Sequence, residues 1–419
     1  MRILWVKSGG VVPADTGGRI RSLQILKELA RGHAVTIFTY YAQHAADQHS
    51  SLNEFSEVAT IPIALPAERT WRDYLRYAQT LVLSEPYSMQ AIGGESGGRL
   101  RYYDVADIRR RLDDLIARTN FDVLICDFIY PAALIDWTLP FPKILFTHNV
   151  EADLWKQQAQ LTNNPLKKFL YWKECRALGQ AERRYARLAD HVVTVSEQNR
   201  AFFARYVSPA RVSVIDTGVD VDAFSPGSDS EPTSGMVFTG SMDWMPNQDA
   251  MQFFTSEILP HIRAEVPESD LWIVGRCPNR AVQDLAAPRI HVTGRVADIR
   301  PYLERALVYV VPLRSGSGTR IKIFEAMAMG KAVVSTTLGA EGLPVTDGEN
   351  ILIADQPREF ASAVVRLLRD RELAARLGQS ARALVEHRFT SQAVGAQFES
   401  ILQNATGSFK ESAVARKTA

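Results

Sequence analysis

One stretch of the sequence, Val311–Thr337, combines residue types that bind phosphate with the spacing that such a site requires. An apolar run ends at Pro312, and Gly316 and Gly318 follow it in a short loop. Glycine lets the backbone turn tightly and approach a ligand closely. Helical spacing begins at Arg320, and a helix N-terminus offers free N–H groups and the positive end of its dipole. The pattern therefore predicts a phosphate-binding loop.

Charged side chains flank this loop. Arg314, Arg320 and Lys322 are cationic donors, and Glu325 follows about one and a half helical turns after the loop. A carboxylate there can accept both hydroxyl protons of a ribose diol, as acidic residues do in dinucleotide sites. The alternative is a plain strand–turn–helix with a serine and threonine cap and a solvated Glu325. The three cations and the downstream carboxylate favour a nucleotide diphosphate.

The elements that must position this loop follow from an alternation of apolar runs and helically spaced segments. The runs are rich in valine and isoleucine and are apolar on both faces, which predicts an α/β fold with doubly wound parallel sheets. The predicted strands of the first series are Arg2–Lys7, Ala34–Thr39, Val58–Ile63, Val123–Cys126, Ile144–Thr147, Val192–Val195 and Val212–Ile215. Those of the second series are Met236–Thr239, Leu271–Val274, His291–Thr293, Val308–Val311, Ala332–Ser335 and Ile351–Ile353.

The two series predict two domains of similar architecture, over residues 1–216 and 217–390. The polar, Pro/Gly/Ser-rich segment 226–235 is expected to be a surface loop early in the second domain. A final helix is predicted at 391–403, followed by a small, polar and charged tail, 404–419, that we expect to be disordered. Residues 67–103, rich in aromatic side chains and arginine, fit the alternation poorly.

Composition narrows the class of protein. The 419 residues carry a formal net charge of +1, which disfavours nucleic acid as the partner. The three cysteines form no CxxC pair, so neither a zinc site nor a disulfide framework is expected. The N-terminal sequence lacks the layout of a signal peptide, and we expect a cytoplasmic protein. No Asp-x-Asp motif stands near the loop, so no divalent metal is expected to be required.

Several motifs resemble the group 1 glycosyltransferases, a retaining family with the GT-B fold. The main one is GSGTRIKIFEAMAMGKAVVSTTLGAEGL, which begins at Gly316. VIDTGVDVDAFSP, at Val214–Pro226, resembles the segment that joins the family's two domains. VFTGSMDWMPNQDA, LWIVGR and VTGRVADIRPYL resemble successive strand–loop units of its second domain, and VVTVSE resembles the last strand of its first. The resemblance covers essentially the whole chain and is strongest over residues 212–345.

The resemblance implies two Rossmann-like domains facing across a cleft, with the donor on the second domain, the acceptor on the first, and the final helix crossing back to the first. It implies a retaining hexosyltransferase that uses a UDP- or GDP-sugar as co-substrate and needs no cofactor. The acceptor would be a saccharide or a lipid-linked molecule in surface polysaccharide or glycoconjugate synthesis. The departing phosphate oxygen would itself remove the acceptor proton on the same face.

The resemblance also implies roles for individual residues. His148 follows a buried-type strand, where relatives often carry a histidine near the donor sugar, and we expect it to be catalytic together with Arg320 and Lys322. Asp127, also at a strand end, is a weak candidate for acceptor contact. The expected donor-binding residues are Gly17, Gly18, Gly240, Arg295, Arg314, Gly316, Ser317, Gly318, Thr319 and Glu325. The expected acceptor-binding residues are Arg19, Asn149 and Glu151.

Two positions depart from the family pattern. The family usually carries a glutamate eight residues before the one that matches Glu325, and Ser317 stands there instead. The family often has an arginine and a lysine in the loop after the first strand of the second domain, and Gly240–Asn247 contains no cation. We therefore expect Arg320 and Lys322 to neutralise the diphosphate.

Two further functions and one further partner remain open from the sequence. A GT-B epimerase acting on a nucleotide sugar would share the second-domain site, and a non-catalytic nucleotide-sugar-binding protein would fit the substitution at Ser317. Basic and aromatic residues in 67–103 and 165–187 would suit peripheral contact with an anionic membrane, and a solvated helix face is the alternative.

Overall fold

A computed structural model describes residues 1–12, 14, 16–42, 52, 55, 57–63, 71, 75, 79, 86–92, 101–102, 105–162, 164–227, 235–315 and 321–418. The chain divides into two units. The first contains Met1–Asp216 and Gly395–Ala419, and the second contains Thr217–Val394. Most of the aromatic segment 67–103 lies outside the described residues.

The first unit is built on a parallel sheet whose central strands are buried on both faces. The strands of this sheet are β1 (Arg2–Ser8), β2 (Ala34–Ala42), β3 (Glu57–Ile63), β6 (Val123–Asp127), β7 (Lys143–Phe146), β8 (His191–Thr194) and β9 (Val212–Val214). A separate, short antiparallel pair is formed by β4 (Ala91–Ile92) and β5 (Arg101–Tyr102). The sheet order is β3-β2-β1-β6-β7-β8-β9. The order reverses between β1 and β6, and ligands of doubly wound sheets bind at such a reversal, outside the carboxyl ends of the strands.

Helices connect these strands. They are α1 (Gly17–Ala30), α2 (Val105–Arg118), α3 (Glu151–Leu161), α4 (Pro165–Leu188) and α5 (Glu197–Phe203). Local sequence accounts for several of their starts. The Thr16 side chain accepts from Arg19 N at the start of α1, and Asn164 caps α4 just before a proline that has no N–H to satisfy.

The second unit repeats this plan. Its strands are β10 (Gly235–Thr239), β11 (Leu271–Val274), β12 (Ile290–Gly294), β13 (Ala306–Val311), β14 (Ala332–Ser335) and β15 (Leu352–Ile353), in the order β12-β11-β10-β13-β14-β15. Its helices are α6 (Met245–Phe253), continued by a π-helical turn at Phe254–Ile258, α7 (Leu259–Glu265), α8 (Arg280–Gln283), α9 (Arg300–Arg305), α10 (Ile321–Ala328), α11 (Pro357–Arg369) and α12 (Arg371–Arg388). The strand order reverses between β10 and β13.

The predicted fold class, two doubly wound α/β domains with parallel sheets, is confirmed. The expectation of a disordered tail after residue 403 is wrong, because the last helix, α13, runs from Ser391 to Thr418. Its apolar side chains are buried along the first unit: Phe398 packs on Trp5 with ring centroids 5.8 Å apart, and Ala405 is buried about two turns further on. Tertiary burial stabilises this helix despite its polar composition. Among the described residues, no helix is both long and apolar enough to span a bilayer.

Candidate functional site

The strand reversal of the first unit carries a buried ion pair. Lys7 ends the apolar part of β1 and Asp127 ends β6, and the two residues are direct neighbours in the parallel register. The Lys7 Nζ lies 2.8 Å from Asp127 Oδ2, and both side chains are almost fully excluded from solvent. The sheet topology therefore brings together two charged groups that are 120 residues apart in the chain.

Asp127 is the centre of a larger hydrogen-bond network. Its Oδ2 also accepts from Ser22 Oγ at 2.6 Å and from Trp5 Nε1 at 3.0 Å. Its Oδ1 lies 2.8 Å from His148 Nε2. Burial raises the pKa of Asp127, but the charge of Lys7 and the hydrogen bonds from Lys7 and His148 outweigh burial and hold the pKa below its ordinary value. The carboxylate is therefore ionised, and both of its oxygens accept hydrogen bonds.

His148 is held between Asp127 and Arg21. Arg21 Nη1 lies 3.2 Å from His148 Nδ1. Since a guanidinium can only donate, Nδ1 must carry the lone pair, and the ring proton must be on Nε2, facing Asp127. Burial lowers the pKa of His148 to about 4 despite the nearby carboxylate, so the imidazole is neutral at pH 7. Both ring nitrogens are engaged in this arrangement, and neither points at solvent.

Phe128 covers this network with a strained backbone. Its φ is +68°, in the left-handed region that a bulky residue rarely adopts. The ring stacks on His148 with centroids 4.0 Å apart, and the Lys7 Nζ lies 4.4 Å from the ring centroid. A Cβ on Gly18 would lie 2.6 Å from Phe128 Cζ, so only glycine fits there. Packing against Phe128 thus accounts for a glycine at position 18, and its role in donor binding stays a prediction.

The residues predicted to bind the acceptor make contacts within the protein. Thr147 Oγ1 donates to the Asn149 carbonyl at 2.8 Å, and α3 begins at Glu151. The Glu151 side chain is buried and accepts from Tyr130 Oη at 2.6 Å. The structure therefore does not present Glu151 to an acceptor at the surface. Arg19, the third residue predicted for the acceptor, donates to the Gly9 carbonyl at 2.7 Å.

The strand reversal of the second unit carries Lys322. Its Nζ donates to Asn247 Oδ1 at 2.9 Å and lies 4.1 Å from the Phe238 ring centroid. Gly240 follows β10, and a Cβ on it would lie 2.8 Å from both Lys322 Nζ and Asn247 Nδ2. A Cβ on Gly275 would come within 1.7 Å of the Gly240 carbonyl oxygen. Gly240 therefore makes room for the lysine at the end of β10, and Gly275 makes room for the Gly240 backbone.

Glu325 lies on the same helix as Lys322 and is only 7% exposed. Burial raises its pKa to about 7, with the charge of Lys322 opposing. The alternative of a solvated Glu325 is therefore excluded. The buried hydroxyl pair of Thr239 and Tyr309, whose oxygens are 2.6 Å apart, joins β10 to β13 beside it.

Arg314, one of the predicted phosphate-binding cations, is paired with a carboxylate in this structure. Its guanidinium makes a two-pronged contact with Asp249, through Nε at 3.1 Å and Nη2 at 2.6 Å, and lies 4.1 Å from the Phe253 ring centroid. A carboxylate and an aromatic ring thus hold it on α6. Gly316, Ser317, Gly318, Thr319 and Arg320 lie outside the described residues. Arg295 follows Gly294, whose φ is +71°.

Sequence reasoning missed several members of these clusters. Lys7 could have been identified from the sequence, since it is a charged residue after the apolar run of a predicted strand. Arg21 could also have been identified, because it shares a helical face with Ile25 and Leu29 at four-residue spacing. Asn247 could not, because only the fold brings it beside Lys322. Among the described residues, no group of three or more histidine, cysteine or carboxylate side chains is placed to hold a metal ion.

Family models match both units. The model described as Glycosyl transferases group 1 matches residues 233–370, and the model described as Glycosyltransferase Family 4 matches residues 91–223.

Curated relatives match either nearly the whole chain or about half of it. An uncharacterized protein in the cps region of Klebsiella pneumoniae is 21% identical over 94% of this chain and 97% of its own length. A phosphatidyl-myo-inositol mannosyltransferase of Mycolicibacterium smegmatis is 30% identical over 46% of this chain. A D-inositol 3-phosphate glycosyltransferase of Corynebacterium glutamicum is 27% identical over 51% of this chain. This chain spans only 52% and 56%, respectively, of the lengths of these last two relatives.

Solved structures share the fold. The sucrose-phosphate synthase of Thermosynechococcus elongatus matches with a TM-score of 0.66 and 18% identity, over 97% of this chain and 100% of its own. HepE of Anabaena, solved in complex with UDP, matches with a TM-score of 0.65 and 14% identity, over 96% and 100%. At these identities the likeness concerns the fold alone.

Proposed function

Because the chain belongs to the group 1 glycosyltransferases, with their GT-B fold, we propose that it transfers a sugar from a nucleotide-diphosphate donor to a saccharide or lipid-linked acceptor, with retention of configuration. The observation that carries the proposal is the placement of Lys322 and Glu325 at the strand reversal of the second unit. Doubly wound sheets bind nucleotides there. The alternative functions, an epimerase or a non-catalytic binding protein, would use the same site.

In the proposed site, Lys322 neutralises the diphosphate and Glu325 binds the ribose. Gly240 lets Lys322 Nζ and Asn247 Nδ2 lie close against the backbone at the end of β10, where phosphate oxygens would approach the lysine. Arg320 and the loop 316–319 are assigned to the phosphates as well. HepE was solved with UDP and with UDP-glucose, which supports a UDP-sugar as the donor. Because a relative is named as a mannosyltransferase, GDP-sugars are tested as donors as well.

Charge stabilisation is the main chemical contribution of this site. As the bond from the sugar to the diphosphate breaks, negative charge grows on the leaving phosphate oxygen. A fixed lysine and free N–H groups at a helix start stabilise that charge without reorganising, which is usually the largest catalytic term. The positive charge thus comes from protein groups, and the proposed reaction requires no metal.

The acceptor is assigned to the first unit, at the carboxyl ends of β1 and β6. Neutral His148 is the proposed catalytic group there, with Asn149 beside it. Bound substrate would have to displace Arg21 or Asp127 from one ring nitrogen before that nitrogen could contact a sugar oxygen. The K. pneumoniae relative's location in the cps region supports a role in surface polysaccharide synthesis.

We expect purified protein to bind one class of nucleotide sugar and to consume it only when an acceptor is present. Calorimetry with UDP-, GDP- and ADP-sugars identifies the donor, and acceptor trials with the best binder follow, with and without EDTA. Proton NMR of the product gives the anomeric configuration. Donor conversion without any acceptor would instead identify an epimerase, and tight binding without turnover would identify a binding protein.

A peripheral membrane contact is part of the proposal, and α4 is the surface that supports it. Its first turns expose Leu166 (66%) and Phe169 (64%), with Lys167 and Lys168 exposed beside them. The 24-residue helix carries seven cations, and its acidic residues, Glu174 and Glu182, are both buried. The charged side chains on the solvent face of α4 are therefore all basic, in a chain of net charge +1. Apolar side chains among lysines fit the boundary of an anionic bilayer.

The basic face continues to the end of α4. Arg183, Arg184 and Arg187 line a shallow depression of about 470 Å³, together with Gln180 and Leu188. Guanidinium groups bind phosphate through paired N–H donors. Phospholipid headgroups are the proposed occupants, since the apolar end of the same helix would lie against the acyl chains.

The triple variant Lys167→Ser/Lys168→Ser/Phe169→Ser is expected to bind vesicles of phosphatidylcholine and phosphatidylglycerol at least about tenfold more weakly than the parent, at roughly 1 kcal/mol per lysine. Cosedimentation measures this. The control is Arg358→Ser/Arg366→Ser, which removes two exposed cations from α11. Equal losses in both variants, or parent binding that does not depend on phosphatidylglycerol, would argue against a specific membrane face.

A further inference from the structure

The helix that follows His148 lacks a cap of its own. The first N–H groups of any helix need acceptors from outside the helix. At the start of α3 the capping position is Val150, which has no side-chain acceptor. The acceptor comes from α4 instead: Glu182 Oε1 lies 2.6 Å from Glu151 N, across 31 residues of chain. Glu182 is only 1% exposed, so water cannot replace it freely.

Small residues make this contact possible. Gly179, one turn before Glu182 on α4, faces Ala152 at the start of α3, and a Cβ on the glycine would lie 3.6 Å from the alanine Cβ. The two helices can therefore approach closely at the point where the carboxyl group must reach the backbone of α3.

Two routes connect Glu182 to His148. The first is the backbone, since only Asn149 and Val150 separate His148 from the capped turn. The second runs through side chains: Glu151 accepts from Tyr130 Oη, the Tyr130 and Phe128 rings are 6.2 Å apart, and Phe128 stacks on His148. A shift of α3 would thus reach the imidazole from both sides.

Other titratable groups lie around the cap. Glu151 and Asp153 face it from α3, Tyr130 faces it from the 3₁₀ helix Tyr130–Leu134, and Cys175 lies on α4 itself. Burial, with repulsion from Glu151, raises the pKa of Glu182 to about 8. Within the described part of the chain, Glu182 Oε2 has no hydrogen-bond partner.

We propose that Glu182 is a positioning residue, which caps α3 from the neighbouring helix and thereby fixes the loop that carries His148. The catalytic consequence rests on the proposed function, whereas the structural consequence does not. Displacement of a catalytic group by about 1 Å is enough to cost on the order of 10²-fold in rate.

Glu182→Gln keeps a neutral acceptor at the same place, and Glu182→Ala removes it. Glu174→Ala is the matched control, because Glu174 is also a buried α4 glutamate but accepts from Tyr87 N and Ser88 N in another segment. We expect Glu182→Ala to shift the His148 imidazole signals in ¹⁵N NMR, assigned with a His148→Asn variant, and to lower kcat at least about tenfold with little change in donor KM. Glu182→Gln should restore both, and Glu174→Ala should leave the His148 signals unchanged.

The pH dependence keeps the proposal testable if Glu182→Ala does not fold. In the parent, the His148 signals should move as Glu182 ionises around pH 8, and Glu182→Gln should abolish that movement. Unchanged signals in a folded Glu182→Ala, equal shifts in Glu174→Ala, or a titration that persists in Glu182→Gln would overturn it. The expected shifts in a parent protein without transferase activity would uphold the cap and reject the proposed function.

Discussion

Asp127→Ala is expected to lower the free energy of unfolding of the first unit by about 3–5 kcal/mol, the largest stability change that we predict. The reason is the number of buried groups that depend on this carboxylate. Lys7 would keep a buried charge without its partner, and Ser22, Trp5 and His148 would each lose an acceptor. Urea denaturation followed by tryptophan fluorescence measures the change, since Trp5 lies in the network.

The same carboxylate predicts a pH dependence with a defined sign. The pKa of Asp127 in the folded protein lies below its ordinary value of 3.8, so the stabilisation is complete above that value and is lost as the pH falls below it. Asp127→Asn should lack this acid-labile component. The comparison variant is Asp107→Ala, which removes a carboxylate that pairs with Arg111 at the surface of α2. A loss for Asp127→Ala no larger than that for Asp107→Ala would contradict the assigned role.

Lys322→Met is expected to lower kcat/KM by about 10²–10³-fold and to weaken donor binding, because the fixed cation at the end of β10 would be gone. Methionine fills similar space without charge, so packing against Phe238 should be retained. Steady-state kinetics with the donor from the binding screen measure the loss, and calorimetry with the nucleoside diphosphate alone separates binding from chemistry.

Arg314→Met and Arg320→Ala test which of the three cations near the loop contribute to donor binding. Arg314 is held by Asp249 and Phe253, so its loss should change kcat/KM far less than the loss of Lys322. Arg320 is assigned to the diphosphate with Lys322, and its loss should weaken donor binding in the same direction. If Lys322→Met and Arg320→Ala both leave donor affinity unchanged, the proposed phosphate site is wrong.

Much of the fold was readable from sequence because its physical causes are local. Strands buried on both faces are continuous apolar runs, and runs such as Leu271–Val274 and Ala332–Ser335 fall at the predicted residues. The glycines and cations of Val311–Thr337 are close in the chain, so a phosphate loop could be predicted without knowing the topology. The motifs at Val214–Pro226 and in the second domain then identified the family.

The tertiary structure decided everything that depends on pairs distant in the chain. Lys7 meets Asp127 only because β1 and β6 are neighbours in the sheet, and Glu182 reaches the start of α3 only because two helices pack closely at Gly179. The same holds for the second half of α13, where the polar composition of residues 404–419 predicts disorder but the helix continues to Thr418 and buries Ala405. Local propensity and short motifs depend on residues that are close in the sequence. Burial depends on what the folded chain places around each group, and burial sets the pKa of His148 and of Glu182.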